Sequence, residues 1–117
     1  MIKELAFIAY SVRDVPRAKA FYRDVIGLKP GKMFSDQWAE FDVGSMTFGI
    51  GNGEPLGMPP GKSFGAVFEV DDINADRDRL VKAGAEASEV HESPVCFSVF
   101  FADPEGNKLG IHQRKKK

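Results

Sequence analysis

The chain has one cysteine, Cys96, so no disulfide can form within its 117 residues. A lone thiol suits a reducing compartment, and a cytoplasmic location is expected. No apolar run is long enough to cross a bilayer, and no secretory signal pattern opens the chain, so no membrane partner is expected. Charge of one sign is also missing. The 17 acidic residues nearly balance the 16 basic ones, leaving a net charge of −1. No overall field then steers nucleic acid to the surface. The basic tail Arg114-Lys115-Lys116-Lys117 has no interleaved aromatic residue and reads as a solvated, frayed end. Gly49-Ile50-Gly51-Asn52-Gly53 lacks the lysine and the following helix of a phosphate-binding loop.

What is present is ordinary for a folded domain, with 43% hydrophobic and 28% charged residues. One compact domain, or two small modules sharing a core, fits this length. Alternating residues predict a first strand over 5–12. Asp14 is a helix N-cap followed by Pro16 in the first turn. Val15, Ala18, Tyr22, Val25 and Ile26 form an apolar stripe at helical spacing that stops at Gly27. Strands are predicted over 28–34, weakened by Pro30 and Gly31, then over 37–43 and 46–50 across a turn at Gly44-Ser45.

Glycine and proline crowd the next segment, about 52–62, which reads as a linker. The pattern then restarts. A strand is predicted over 64–70, a helix capped by Asp71 or Asp72 and stopped at Gly84, a weaker strand over 85–90, and a hairpin of 95–102 with 108–113. The turn of that hairpin, Asp103-Pro104-Glu105-Gly106-Asn107, is a strong one. Ser11-Val12-Arg13-Asp14-Val15 matches Glu69-Val70-Asp71-Asp72-Ile73, each at a strand end that opens a helix. This is the mark of a duplicated βαβββ unit: a first module of about 1–51 and a second of about 63–113. Each unit alone is too small to bury a good core.

Val12-Arg13-Asp14, the run from Ala20 through Tyr22 to Leu28, Phe68-Glu69-Val70-Asp71-Asp72 and the Asp103–Asn107 turn together resemble the vicinal oxygen chelate superfamily. That superfamily includes glyoxalase I, extradiol dioxygenases, fosfomycin-resistance enzymes and bleomycin-binding proteins. The resemblance implies an α+β fold of two βαβββ modules, a single domain over 1–117, each sheet curled around a concave face. It also implies a homodimer. Family metal sites draw His, Glu or Gln from four strands around one divalent ion, and the matching positions here are Phe7, Gly49, Gly65 and Gly110. None offers a side-chain ligand. No metal cofactor is expected, and glyoxalase or dioxygenase chemistry of the usual kind does not follow.

Strand alternation assigns one set of side chains to the helices and the other to the concave face. The inner set includes Ile8, Met46, Phe64 and Val95. The concave set includes Phe7, Trp38, Glu40, Asp42, Gly49, Gly65, Glu69, Cys96, Gly110 and His112. The ligand-contacting residues expected are Phe7, Trp38, Gly49, Gly65, Glu69, Cys96, Gly110 and His112. Glycines leave room for a bulky guest, or mark bulges and close backbone approach. Phe7 and Trp38 offer flat apolar surface, with packing at a module or dimer seam the alternative for Trp38. Glu40, Asp42 and Glu69 could attract a cationic group. A hairpin centred near Glu105 sets residue 98 opposite 112, which leaves a Cys96–His112 dyad only diagonally possible. The expected function is binding of a small organic molecule. The alternative is a lyase, isomerase or dioxygenase relative using a divalent metal with unusual ligands, or His112 as acid or base.

Overall fold

The structure, a computed structural model, describes residues 1–116. The last residue of the basic tail, Lys117, lies outside the described residues. Strand β1 (Ile8–Ser11) leads to helix α1 (Val15–Ala20), which continues as a π-helical turn through Phe21–Ile26. Asp14 caps α1 as expected, its carboxylate accepting the Arg17 N–H at 3.1 Å. Strands β2 (Lys29–Phe34), β3 (Trp38–Val43) and β4 (Met46–Gly51) complete the first module. The second repeats the order with β5 (Ala66–Glu69), α2 (Ile73–Lys82), β6 (His91–Glu92), β7 (Cys96–Ala102) and β8 (Lys108–Arg114). The sheet orders are β1-β4-β3-β2 and β5-β8-β7-β6. In both, the first strand runs parallel to the last and the others pair antiparallel. The architecture is α+β with two open mixed sheets, as the repeat implies.

One apolar cluster runs through both modules. Val12, Val15, Ala18, Tyr22, Phe41 and Ile50 are buried in the first, and Ile73, Leu80, Val99 and Leu109 in the second. The Phe48 and Phe68 rings meet edge-on across the seam at 5.7 Å. Polar contacts fix the same seam. Tyr10 donates its hydroxyl to the Lys108 carbonyl at 2.8 Å and accepts the Ala66 N–H at 2.6 Å.

The Asp103–Asn107 turn is the strongest such link. Asn107 is fully buried and donates to the Ser11 carbonyl and to Asp103 Oδ2, each at 2.9 Å. Its Oδ1 accepts the Ser63 N–H at 3.0 Å. Tyr22 donates its hydroxyl to Asp103 at 2.8 Å. Burial, reinforced by the Asp103 carboxylate, pushes the Tyr22 hydroxyl far above the ordinary phenol range. Glu105 accepts the Arg13 and Asp14 N–H groups at 2.6 and 2.8 Å, so the second module satisfies backbone donors at the entry to α1.

Several expectations need correction. The strand expected over 85–90 is not one. The Ser88 N–H donates to the Phe100 carbonyl at 2.8 Å and its Oγ accepts the Phe100 N–H at 2.9 Å, so a side chain takes the place of a ladder partner. Regular pairing begins only at His91. Phe64, expected in the inner set, is exposed. Gly65 has φ +109°, a left-handed conformation that breaks the alternation before β5 starts. Val95, Ile8 and Met46 are also exposed, each at or beyond a strand end. The tail is not frayed at its start. Arg114 ends β8, its N–H bound to Glu69, and the Lys115 N–H pairs with the Val95 carbonyl at 2.9 Å.

Candidate functional site

An apolar hollow of about 390 Å³ lies on the concave side of the first sheet. Its base is Trp38. Alternation along β3 sends Ala39 and Phe41 into the core and Trp38 to the other side. The register pairs Trp38 with Gly51 and Glu40 with Gly49. The indole therefore lies across both glycines. A Cβ built at either would come within 2.5 Å of the ring. Glu40 fixes the ring's orientation by accepting the indole N–H at 2.8 Å. Phe7 stands edge-on to the indole, with ring centroids 5.4 Å apart. Phe7 is 49% exposed and Trp38 half-buried, so both rings keep a free face.

The expected linker forms the opposite wall. Glu54–Leu56 makes a short 3-10 turn, and Leu56 and Met58 line the hollow. Ser11 Oγ donates to the Met58 carbonyl at 2.7 Å and accepts the Gly53 N–H at 3.2 Å. Arg13 grips Glu54 through two parallel bonds of 2.9 and 2.8 Å, and the pairing holds the Glu54 carboxyl below its usual range. Ser11, Gln37 and Asn52 supply the polar edge. Composition marked 52–62 as a loop; no residue pattern marked it as a wall.

The second sheet carries the remaining candidates. Phe100 sits over Gly110, its cross-strand partner, with the ring 3.0 Å from a Cβ built there. Space at Gly49 and Gly110 is thus filled by this chain's own rings rather than left for a guest. Of the three candidate glycines Gly49, Gly65 and Gly110, only Gly65 has open space beside it. Ser98 faces His112 and Cys96 faces Arg114, as the hairpin spacing requires. The His112 Nδ1 lies 2.6 Å from Glu69, and the Cys96 thiol lies 3.1 Å from Ser93 Oγ. Among the described residues Cys96 and His112 share no hydrogen bond. The Arg114 N–H, then His112, hold the Glu69 carboxyl below its ordinary value. Glu40 and Glu69 are both engaged, and Asp42 sits beyond the hollow opposite Thr47. The structure brings Phe7, Trp38 and Gly49 together, and separately pairs His112 with Glu69, while Cys96 contacts Ser93 and lines a cleft with His112. The hollow on the first sheet is lined by none of the second group.

A divalent metal of the kind the fold implies does not fit these residues. Gly49 and Gly110 bring no donor atom, and aromatic rings stand where a ligating side chain would reach. Among the described residues no three His, Cys, Asp or Glu side chains converge.

Comparison with known proteins accords with this architecture. The model of the Glyoxalase/Bleomycin resistance protein/Dioxygenase superfamily matches residues 4–111, and the chain belongs to that superfamily. Its structure is similar to that of TnmS3, an antibiotic binding protein from Streptomyces sp. CB03234. The TM-score is 0.86 at 25% identity, over 97% of this chain and 98% of that one. A glyoxalase/bleomycin resistance protein from the same organism gives a TM-score of 0.80 at 26% identity, over 94% of this chain and 100% of that one. A lactoylglutathione lyase from Agrobacterium tumefaciens shares the fold, with a TM-score of 0.81 at 21% identity over 96% and 94% of the two chains. No curated protein matches the chain significantly.

Proposed function

We propose that the protein binds a small, ring-containing organic molecule on the aromatic shelf of the first sheet, without using a metal. The observation that carries this reading is the Trp38 indole, seated on Gly49 and Gly51, tied by Glu40 and flanked by Phe7. Such a shelf offers a large apolar contact already fixed in place, and pre-organisation is what small-molecule affinity depends on. The hollow has no charged side chain in its lining, so a neutral guest fits it best. Similarity to an antibiotic binding protein supports the reading.

The protein acts as a cytoplasmic homodimer. Phe7, Val67 and Phe100 are each nearly half exposed on the open faces, at 49, 46 and 47%. A second copy would cover them and deepen the hollow.

Phenylnaphthylamine, a neutral aryl probe whose emission rises in apolar sites, tests the reading. It should bind saturably at one molecule per chain and be recovered unchanged. Absence of saturation up to its solubility would contradict the reading. A second reading is favoured by the His112–Glu69 contact at 2.6 Å, which orients the imidazole as an acid or base. Under that reading a bound compound is consumed over many equivalents, and His112→Ala abolishes the turnover.

A further inference from the structure

We propose that the open end of the second sheet is a separate site for small organic carboxylates, built on His112, Arg114 and Lys116. Side chains alternate along a strand, so His112, Arg114 and Lys116 fall on one side of β8 and its continuation. Opposite them the register places Ser98 and Cys96, and the Lys115–Val95 backbone bond carries the pairing one step further. The result is a cleft of about 500 Å³ in which Pro94, Val95 and Cys96 meet this basic ladder.

The charge in the cleft is one-sided. Its ionisable lining is Cys96, His112, Arg114, Lys115 and Lys116, with no carboxylate among them. Of the nearby carboxylates, Asp71 borders Arg114 and Lys116 from an adjoining hollow, while Glu69 and Glu92 are already engaged. Glu69 sits against His112 Nδ1 and accepts the Arg114 N–H at 2.8 Å. Glu92 holds the Lys115 ammonium at 2.5 Å, beside the Phe97 ring. Arg114 and Lys116 are exposed, and no ion pair of either is seen among the described residues. With Nδ1 turned to Glu69, the other imidazole nitrogen of His112 is the one left for a ligand.

The apolar side matches the body of such a ligand. Val95 is 70% exposed beside Pro94. A molecule with a carboxylate at one end and a ring or short chain at the other would set the ring on Pro94 and Val95. Its carboxylate would meet the Arg114 fork, which suits planar two-point recognition. Backbone bonds of residues 114 and 115 hold the ladder in register, so little ordering of the backbone is needed on binding.

Benzoate and its neutral isostere benzamide test the site, with backbone amide NMR as the readout. Benzoate should shift the amides of Cys96, Arg114 and Lys116 saturably and leave those of Trp38 and Asn52 in place. Benzamide should bind about tenfold more weakly or not at all. The double variant Arg114→Gln, Lys116→Gln should lower benzoate affinity about tenfold with an unchanged fold, as two exposed charge contacts allow. Added salt should weaken binding in the wild type and not in the variant. Benzoate and benzamide binding equally, no saturable shift at millimolar benzoate, or undiminished binding by the variant would each overturn the proposal. The first-sheet hollow is read independently through Trp38, so failure at one site does not pass for failure at the other.

Discussion

At the scale of single residues, the glycines in the sheets matter most. Gly49, Gly51 and Gly110 are each roofed by a ring from the neighbouring strand. Aromatic side chains cover bare backbone in this way and protect the ladder beneath. Gly51→Ala would push the indole aside, because the new Cβ would meet it at 2.5 Å. Trp38 is half-buried and can swing outward, so the expected result is a red-shifted Trp38 emission with a small change in stability. Since Trp38 is the sole tryptophan, the spectrum reads this ring alone. The same glycines predict less than stoichiometric metal after loading with zinc, nickel, manganese or iron, checked by elemental analysis.

Glu69 is one carboxylate whose share of the pH dependence can be isolated by substitution. Hydrogen bonds from Arg114 N–H and His112 depress the folded-state value of Glu69 below its ordinary 4.5. A depressed carboxylate adds stability above its unfolded value and loses it as pH falls through the folded one. The wild type should therefore lose more stability than Glu69→Gln between about pH 5 and about pH 3, seen in denaturation midpoints.

At the scale of elements, the hairpin turn between β7 and β8 does more than reverse the chain. Asn107 spends both of its amide hydrogens and its oxygen on three groups spread over both modules. Asn107→Ala should cost roughly 3 kcal/mol, since a buried acceptor and donor lose their partners. Asn107→Asp should cost more, because it sets a second carboxylate against Asp103 where the 2.9 Å amide contact now lies. Urea denaturation of both variants checks the order. Glu105→Ala removes two bonds to backbone N–H groups at the entry to α1 and should cost about 1–2 kcal/mol.

Much of this was legible in the sequence, element by element. Period-two alternation placed Trp38 and His112 on the concave faces, and the turn length fixed the 98–112 pairing seen in the ladder. The duplicated strand-end motif implied the shared sheet order of the two modules. What escaped was non-local. Nothing in the sequence around Gly51 says that a ring 13 residues earlier will lie on it; that follows only from the β3–β4 register. Asp103–Asn107 read as a turn because turns have local chemistry, while its partners Ser11, Tyr22 and Ser63 are over 40 residues away. The 52–62 segment read as a linker because glycine and proline are ambiguous between mobile chain and a loop pinned by Ser11 and Arg13.

At the scale of the whole molecule, the chain is a plate of 42 × 39 × 25 Å. Its radius of gyration, 14.6 Å, exceeds the roughly 13 Å typical of this length, as two sheets with open faces would give. Those faces carry exposed Phe7, Val67 and Phe100. Among the described residues no helix is long and apolar enough to cross a membrane, so a lipid-spanning helix does not account for them. The proposed homodimer would cover them with a second copy, and light scattering should then return twice the 12.9 kDa chain mass. Val67→Glu should shift the equilibrium toward the single chain.

The most direct test of the aromatic shelf is a titration of phenylnaphthylamine against Trp38 fluorescence, in the wild type and in Gly51→Ala. Saturable quenching in the wild type at one probe per chain, weakened in the variant while the fold persists, is the result this account predicts. Equal quenching in both, or none in the wild type, would show that the seated indole is not where a guest binds.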